Sequence, residues 1–279
     1  PINAYRINCG ENMTGYDDSY KFKASCMDEI KRQGADKKLI ELSQEWIRKA
    51  EEFKYSYHFE WLGRPIIQHP QDIIGLQQLL WSVKPNVIIE TGIARGGSII
   101  FYASILELIS LCGGPKDAKV IGIDVDIREH NKSAILNHPM SRRISLIEGS
   151  SVDVATISGI KGLIKRGDRV LVCLDSNHTH DHVLKELKLY TPFVSEGSYC
   201  VVLDTILENM PEDAYPNRPW GRGNNPKTAV HHFLKDDFLQ NGESRFEIDK
   251  VIENQLMITA APDGFLRRKK ISNNNRGRS

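Results

Sequence analysis

From residue 87 onward the chain falls into short, unbroken apolar runs: Val87-Ile88-Ile89, Val120-Ile121-Gly122-Ile123, Ile144-Ser145-Leu146-Ile147, Val170-Leu171-Val172-Cys173-Leu174 and Tyr199-Cys200-Val201-Val202-Leu203. Runs of this length without alternation suit strands covered on both faces. Between them lie helix-compatible stretches at 97–111, 128–136, 152–164 and 182–190. Strand alternating with helix predicts a doubly wound α/β domain, a mostly parallel sheet with helices on both faces. Residues 246–251 and 255–259 are two further strand candidates, expected as an edge hairpin that brings the sheet to seven strands.

The first 60 residues read differently. Residues 5–24 are polar and aromatic with no sustained period, whereas Leu39, Leu42, Trp46, Ile47 and Phe53 approximate one helical face. This part is expected to be a helical or irregular appendage (1–60) to a main domain (61–270), followed by a polar tail (271–279). Its aromatic residues, Trp46, Phe53, Tyr55, Tyr57, Phe59 and Trp61, suit plain packing against the core, a lid over a cleft, or a contact in a homo-oligomer. A second helical pattern, Ile73, Ile74, Leu76, Leu79 and Leu80, ends near Lys84-Pro85.

Composition narrows the partner more than the fold. Of the 279 residues 40% are hydrophobic and 26% charged, enough for one large core. Lys plus Arg (37) nearly balance Asp plus Glu (36), so no overall field draws nucleic acid or an anionic membrane, and a small molecule is the expected partner. The one basic cluster, Arg267 to Lys270, reads as a solvated terminus. No apolar stretch approaches the roughly 20 residues that span a bilayer, and residues 1–10 lack a signal-peptide pattern. Five cysteines without CxxC spacing suit a reducing compartment, so the expected location is the cytoplasm. The chain opens on Pro1, so the native amino terminus is expected to be trimmed or to lie upstream.

In an open α/β sheet ligands bind beyond the carboxyl ends of the strands. After the first run comes Glu90-Thr91-Gly92-Ile93-Ala94-Arg95-Gly96-Gly97-Ser98, a glycine-rich turn opening a helix, where bare backbone and helix amides can meet a nucleotide-like cofactor. Its spacing is neither the GxGxxG of dinucleotide binders nor a P-loop. The second run ends in Asp124, placed to accept from ribose hydroxyls, with Asp126 a lesser candidate. The third leads into Glu148-Gly149-Ser150-Ser151, suited to an adenine edge or to a helix cap. The fourth ends in Asp175-Ser176-Asn177-His178, where an imidazole near neutral pH could take a hydroxyl proton; His180 and His182 read as solvated or capping residues. The fifth ends in Asp204, which can face Asp175 as a second oxygen ligand for a hard cation such as magnesium.

Together these segments resemble the family named for cephalosporin hydroxylase, which also includes rhamnosyl O-methyltransferases. The resemblance runs from Trp61-Leu62-Gly63 and Pro70-Gln71-Asp72 through the turn 89–98, residues 101–108, Ile121 to Asp124, Glu148 to Ser151 and Asp175 with His178, to Gly264-Phe265-Leu266. It implies a class I, Rossmann-like methyltransferase sheet binding S-adenosylmethionine, with Glu90, Gly92, Arg95, Gly96 and Ser98 at the methionine end, Asp124 at the ribose and Ser150 and Ser151 near the base. It implies transfer of the sulfonium methyl to a hydroxyl of a sugar, glycan or small natural product, with Asp175 and His178 catalytic. Magnesium in such proteins is held by the acid after strand four and a Glu-Asp pair after strand five. This chain departs from that pattern at two positions: Leu203 stands in place of the Glu, and Asn177 replaces an acid before His178. A cofactor-binding paralogue with weak catalysis is therefore the alternative. A hydroxylase is the remote one, because no HxD with a distant His offers a facial triad for iron.

Overall fold

The computed structural model describes residues 13–270. In chain order the elements are α1 (Met13–Ala35), α2 (Lys37–Glu51), β1 (Phe59–Trp61), β2 (Arg64–Ile66), α3 (Pro70–Val83), β3 (Val87–Thr91), α4 (Gly97–Leu111), β4 (Lys119–Asp124), α5 (Glu129–Leu136), β5 (Ile144–Glu148), α6 (Val154–Leu163), β6 (Val170–Leu174), α7 (His180–Tyr190), β7 (Tyr199–Val202), α8 (Pro226–Asn241), β8 (Phe246–Ile248), α9 (Lys250–Leu256) and β9 (Phe265–Arg268). β1 and β2 form a small hairpin. The other seven strands form one sheet in the order β5-β4-β3-β6-β7-β9-β8. β3 to β7 are parallel, and β9 runs antiparallel to both β7 and β8. The doubly wound reading therefore holds, with one antiparallel edge.

The unbroken apolar runs are where burial is complete. Every residue of β3, β6 and β7 is buried, and the side chains divide between two cores on opposite faces of the sheet. α4 is apolar nearly all round because it is covered nearly all round, with Ile99, Ile100, Phe101, Tyr102 and Leu106 fully buried. Trp61 is part of this packing: its indole meets Phe101 edge to face at 4.9 Å and donates to Ser104 Oγ at 2.9 Å.

Three expectations are corrected. Residues 255–259 are not a strand: Asp249 caps α9 by accepting from the Val251 amide, and Ile252 and Leu256, four residues apart, pack on the core as one helical face. The edge partner of β8 is instead β9, so Arg267 and Arg268 lie in the sheet rather than in a solvated terminus. Arg267 pairs with Glu247 and Tyr199 in the strand register, and the Arg268 guanidinium donates to the Val194 carbonyl. Within 5–24, residues from 13 on are helical; α1 is held from outside, its Gln33 donating to the Asn254 carbonyl on α9. Residues 5–12 and the tail 271–279 lie outside the described residues.

The hairpin fixes the segment that follows it. Gly97, first residue of α4, has no room for a side chain: a Cβ there would lie 2.1 Å from the Pro65 carbonyl oxygen and 2.6 Å from Ile66 Cα. Backbone cannot yield as a side-chain tip can, so β2 is seated on the start of α4 only because residue 97 is glycine. Gly97→Ala is expected to cost about 1 to 3 kcal/mol, the usual price of overpacking, read as a lower denaturation midpoint; an unchanged midpoint would mean that β2 is free to move off the helix.

Candidate functional site

The strand order reverses between β3 and β6: β4 and β5 follow β3 on one side, β7 follows β6 on the other. At such a switch point the loops diverge and leave a crevice. Here it is a cleft of about 790 Å³. Of the residues expected to form a site, Gly92, Asp124, Ser150, Ser151, Asp175, His178 and Asp204 all line it. Glu90, Arg95, Gly96 and Ser98 lie behind or beside the turn instead.

The turn after β3 is built around Asp124. Its Oδ2 accepts from the amides of Ile93 and Ala94, at 3.0 and 3.3 Å, and its Oδ1 from the amide of Asp126 at 3.2 Å. Oδ2 is thereby filled, whereas Oδ1 keeps a lone pair for the cleft. Asp126 is solvated beside Arg128, 3.7 Å away. The glycines have separate tasks. Gly92 (φ +81°) brings the turn against the loop after β6, whereas Gly96 (φ +82°) makes room for Ile135. Arg95 contributes its carbonyl, which accepts from Arg64. Ser151 is half committed: its hydroxyl is 3.0 Å from His182 Nε2, and its carbonyl accepts from Tyr190.

Acids dominate the floor. Glu90 is fully buried, accepts from Ser98 Oγ at 2.7 Å and leaves Oε1 without a partner; burial pushes its pKa up to about 8. Burial likewise raises Asp175 well above the usual carboxylate range, and Asp204, Glu90 and Glu186 push it the same way. One donor atom each from Asp175, His178 and Asp204 lies within 4.8 Å of the others. His178 Nε2 is 3.2 Å from Asp204 Oδ2, and its ring stands edge-on to Trp220 at 4.8 Å. Two carboxylates and an imidazole converging beside further acids suit a divalent cation, which would remove the repulsion that burial and neighbours create. The two departures from the expected pattern have structural tasks. Asn177 Oδ1 accepts from the Thr179 amide and hydroxyl, starting α7, and Leu203 is buried against the core.

Several residues of the site escape sequence reasoning. The loop between Asp204 and α8 folds back over the cleft and brings Tyr215, Arg218 and Trp220; Glu208 clasps it by accepting from Gly223 and Asn225. Its signal was two aromatics amid prolines and glycines at 211–223. Glu51, at the end of α2, also lines the cleft. Burial and Asp204 raise its pKa, opposed by His69 and by a hydrogen bond to Tyr215. Gln68 and His69, just ahead of the Pro70-Gln71-Asp72 motif, also line the cleft.

The profile of the family described as rhamnosyl O-methyltransferase/CmcI matches residues 53–269. The chain belongs to that family. It is an S-adenosylmethionine-dependent O-methyltransferase. Rhamnosyl O-methyltransferase of Mycobacterium tuberculosis (strain H37Rv) is 32% identical over 199 residues, 70% of this chain and 72% of that protein. The Mycobacterium leprae protein of the same name is 29% identical over 210 residues, 75% and 82% of the two chains. Among solved structures, CmcI with magnesium and S-adenosylmethionine superposes with a TM-score of 0.52 at 21% identity, covering 77% of this chain and 78% of that one, a likeness of fold.

In this methyltransferase Glu90 ties stability to pH. The unfolded chain ionises it near 4.5, whereas the folded protein holds the proton up to about 8. Across that window native stability falls as pH rises, because the unfolded state releases a proton that the native state keeps. Glu90→Gln escapes this loss. Its stability relative to the native chain should rise from pH 4.5 to 8 by at most about 1.4 kcal/mol per unit, measured by denaturant unfolding at several pH values; a difference that stays flat with pH would show that Glu90 ionises normally.

Proposed function

We propose that the chain methylates a hydroxyl of a sugar carried on a glycan or small natural product, with His178 as general base and Asp175 and Asp204 holding a magnesium ion. The observation that carries this reading is the convergence of Asp175, His178 and Asp204 in the cleft that Asp124 and Gly92 also line. The mycobacterial relatives, by their names, act on rhamnosyl groups, which favours a deoxysugar acceptor.

On this reading Asp124 meets the ribose, Ser150 and Ser151 the base and Gly92 the methionine end, while Glu90, Arg95, Gly96 and Ser98 shape the turn from behind. S-adenosylmethionine, when bound, would supply an activated methyl on a sulfonium, transferred to the acceptor oxygen with the neutral thioether as leaving group. Asp175 and Asp204 would hold a magnesium ion, which would supply a positive charge that lowers the acceptor's pKa. With the His178 proton on Nε2 facing Asp204, Nδ1 carries the lone pair that takes the hydroxyl proton. Trp220 fixes the ring, and the Asp204 carboxylate stabilises the imidazolium that forms. Glu51, Tyr215 and Arg218 offer polar contacts to other acceptor hydroxyls, and the loop above them excludes water.

Segment 1–60 serves as an appendage whose end covers the acceptor half of the cleft through Ile47, Glu51, Lys54 and Tyr57, with 61–270 as the methyltransferase domain. Leu39, Leu42, Trp46 and Phe53 are exposed, and a second copy of the chain covering them in a homo-oligomer accounts for an apolar face otherwise left to water. Among the described residues no helix is long and apolar enough to cross a membrane, and Cys26, Cys112, Cys173 and Cys200 are free. A cytoplasmic location suits such thiols.

The decisive assay incubates the protein with S-adenosylmethionine, magnesium and p-nitrophenyl α-L-rhamnopyranoside, following S-adenosylhomocysteine release and a one-methyl mass gain. Turnover is expected; His178→Ala should lower kcat by about 100-fold or more without changing cofactor affinity. No methyl gain on any of a panel of glycosides would overturn the sugar reading. For assembly, light scattering should give at least a dimer for the intact chain and a smaller species for a chain beginning at Phe59; a monomer in both removes the oligomer.

A further inference from the structure

Gln68 is a polar group for which the chemistry above has no use. It lies between β2 and α3, lines the cleft, and is only 5% exposed. Neither its Oε1 nor its Nε2 has a hydrogen-bond partner among the described residues. Leaving both the donor and the acceptor of a buried amide unmade costs the full desolvation of each, which a ligand reaching this wall of the cleft would restore.

The segment presenting it is held on both sides. Ahead of it, Ile66 pairs with Phe59 across the hairpin, and the backbone at 65–66 is seated on Gly97 at the start of α4. Behind it, His69 stacks on Tyr55 with ring centres 6.0 Å apart and lies 3.5 Å from Asp72. Asp72 in turn accepts from the Thr259 hydroxyl and from the Ala260 amide. The amide is thus offered from a fixed strip of backbone, as a preorganised contact requires.

Position and chemistry then select what it meets. Asp124, Ser150 and Ser151 form the wall after β4 and β5, and His178 and Asp204 the wall after β6 and β7. Gln68 follows the strand whose backbone at residues 65–66 packs on Gly97, directly after the glycine turn that joins the two walls, and it lines the same cleft as Asp175. We propose that Gln68 holds the α-amino-acid end of S-adenosylmethionine, Nε2 donating to its carboxylate and Oε1 accepting from its ammonium. A neutral amide serves both ends of a zwitterion, whereas an acid would repel the carboxylate and a lysine the ammonium. The inference rests on the cofactor assignment and on the division of the cleft proposed above.

The test is calorimetric and needs no acceptor. S-adenosylhomocysteine carries the amino-acid end; 5′-methylthioadenosine has the same adenosine and thioether without it. Titrated into the intact chain, Q68L is expected to bind S-adenosylhomocysteine about 10- to 100-fold more weakly, the range for lost hydrogen bonds to charged groups, and 5′-methylthioadenosine within twofold of the native protein. Q68E, nearly isosteric, should show the same selective loss, and decides the matter if Q68L fails to fold. Equal weakening of both ligands would mean that Gln68 acts through packing, and unchanged affinity for both that it faces the acceptor or nothing; either overturns the proposal. Failure of the native protein to bind either ligand would instead remove the cofactor assignment, and the proposal with it.

Discussion

A Cβ on Gly92 would lie 2.0 Å from the carbonyl oxygen of Asp175. The turn after β3 and the loop after β6 therefore meet backbone to backbone, with nothing compressible between them, and the Asp175 amide donates to the Thr91 carbonyl at the same joint. Much else follows from that contact. It sits where the sheet reverses direction, so it ties the wall carrying Asp124 to the wall carrying Asp175 and His178. A transfer reaction that depends on aligning two reactants within a fraction of an ångström needs such a joint more than it needs any single reactive group. Gly97, holding β2 in place, extends the same constraint to the segment bearing Gln68.

The second organising feature is charge. Glu90, Asp175 and Glu186 are buried or half-buried acids within one another's influence, and Asp204 lies above them. In water such a group of carboxylates would simply ionise; in a low-dielectric floor burial and mutual repulsion disfavour the charged forms, which raises the pKa of Glu90 to about 8 and that of Asp175 above the usual carboxylate range. On the proposed assignment, a positive charge brought beside these acids, whether the sulfonium or a divalent cation between Asp175 and Asp204, would relieve that repulsion and favour their ionised forms.

How much of this was legible beforehand depended on the kind of signal. Buried strands show themselves as unbroken apolar runs, and residues at their carboxyl ends inherit a position in the cleft from topology alone; Asp124, Asp175, His178 and Asp204 were readable for that reason. The final strand was not. Phe265 and Leu266 precede four basic residues, and charge concealed a strand whose partners lie at 199–201 and 246–248. α1 lacks a clean period because its fixing contact comes from α9, more than 200 residues away in the chain. Glu51, Gln68, Tyr215 and Trp220 reach the cleft through tertiary folding of segments outside the strand rhythm, and no local pattern announces where such segments end up.

The two departures from the family pattern bear on the metal differently once their surroundings are known. Leu203 belongs to the core and also lines the cleft, so a carboxylate there would sit partly among apolar neighbours, at the cost of burying charge. Asn177 Oδ1 is already occupied in starting α7. On the proposed assignment Asp175 and Asp204, once both are ionised, would supply two negative charges, and magnesium readily fills the rest of an octahedral shell with water. With fewer fixed anionic ligands the ion would be held less tightly, and more of the deprotonation would fall to His178. That residue is equipped for it: Asp204 Oδ2 at 3.2 Å selects one tautomer, and the Trp220 edge limits rotation. On the proposed assignment Asp204 would stand in both assemblies, sharing one carboxylate between orienting the base and holding the cation, so that weakening either assembly through this residue would disturb the other.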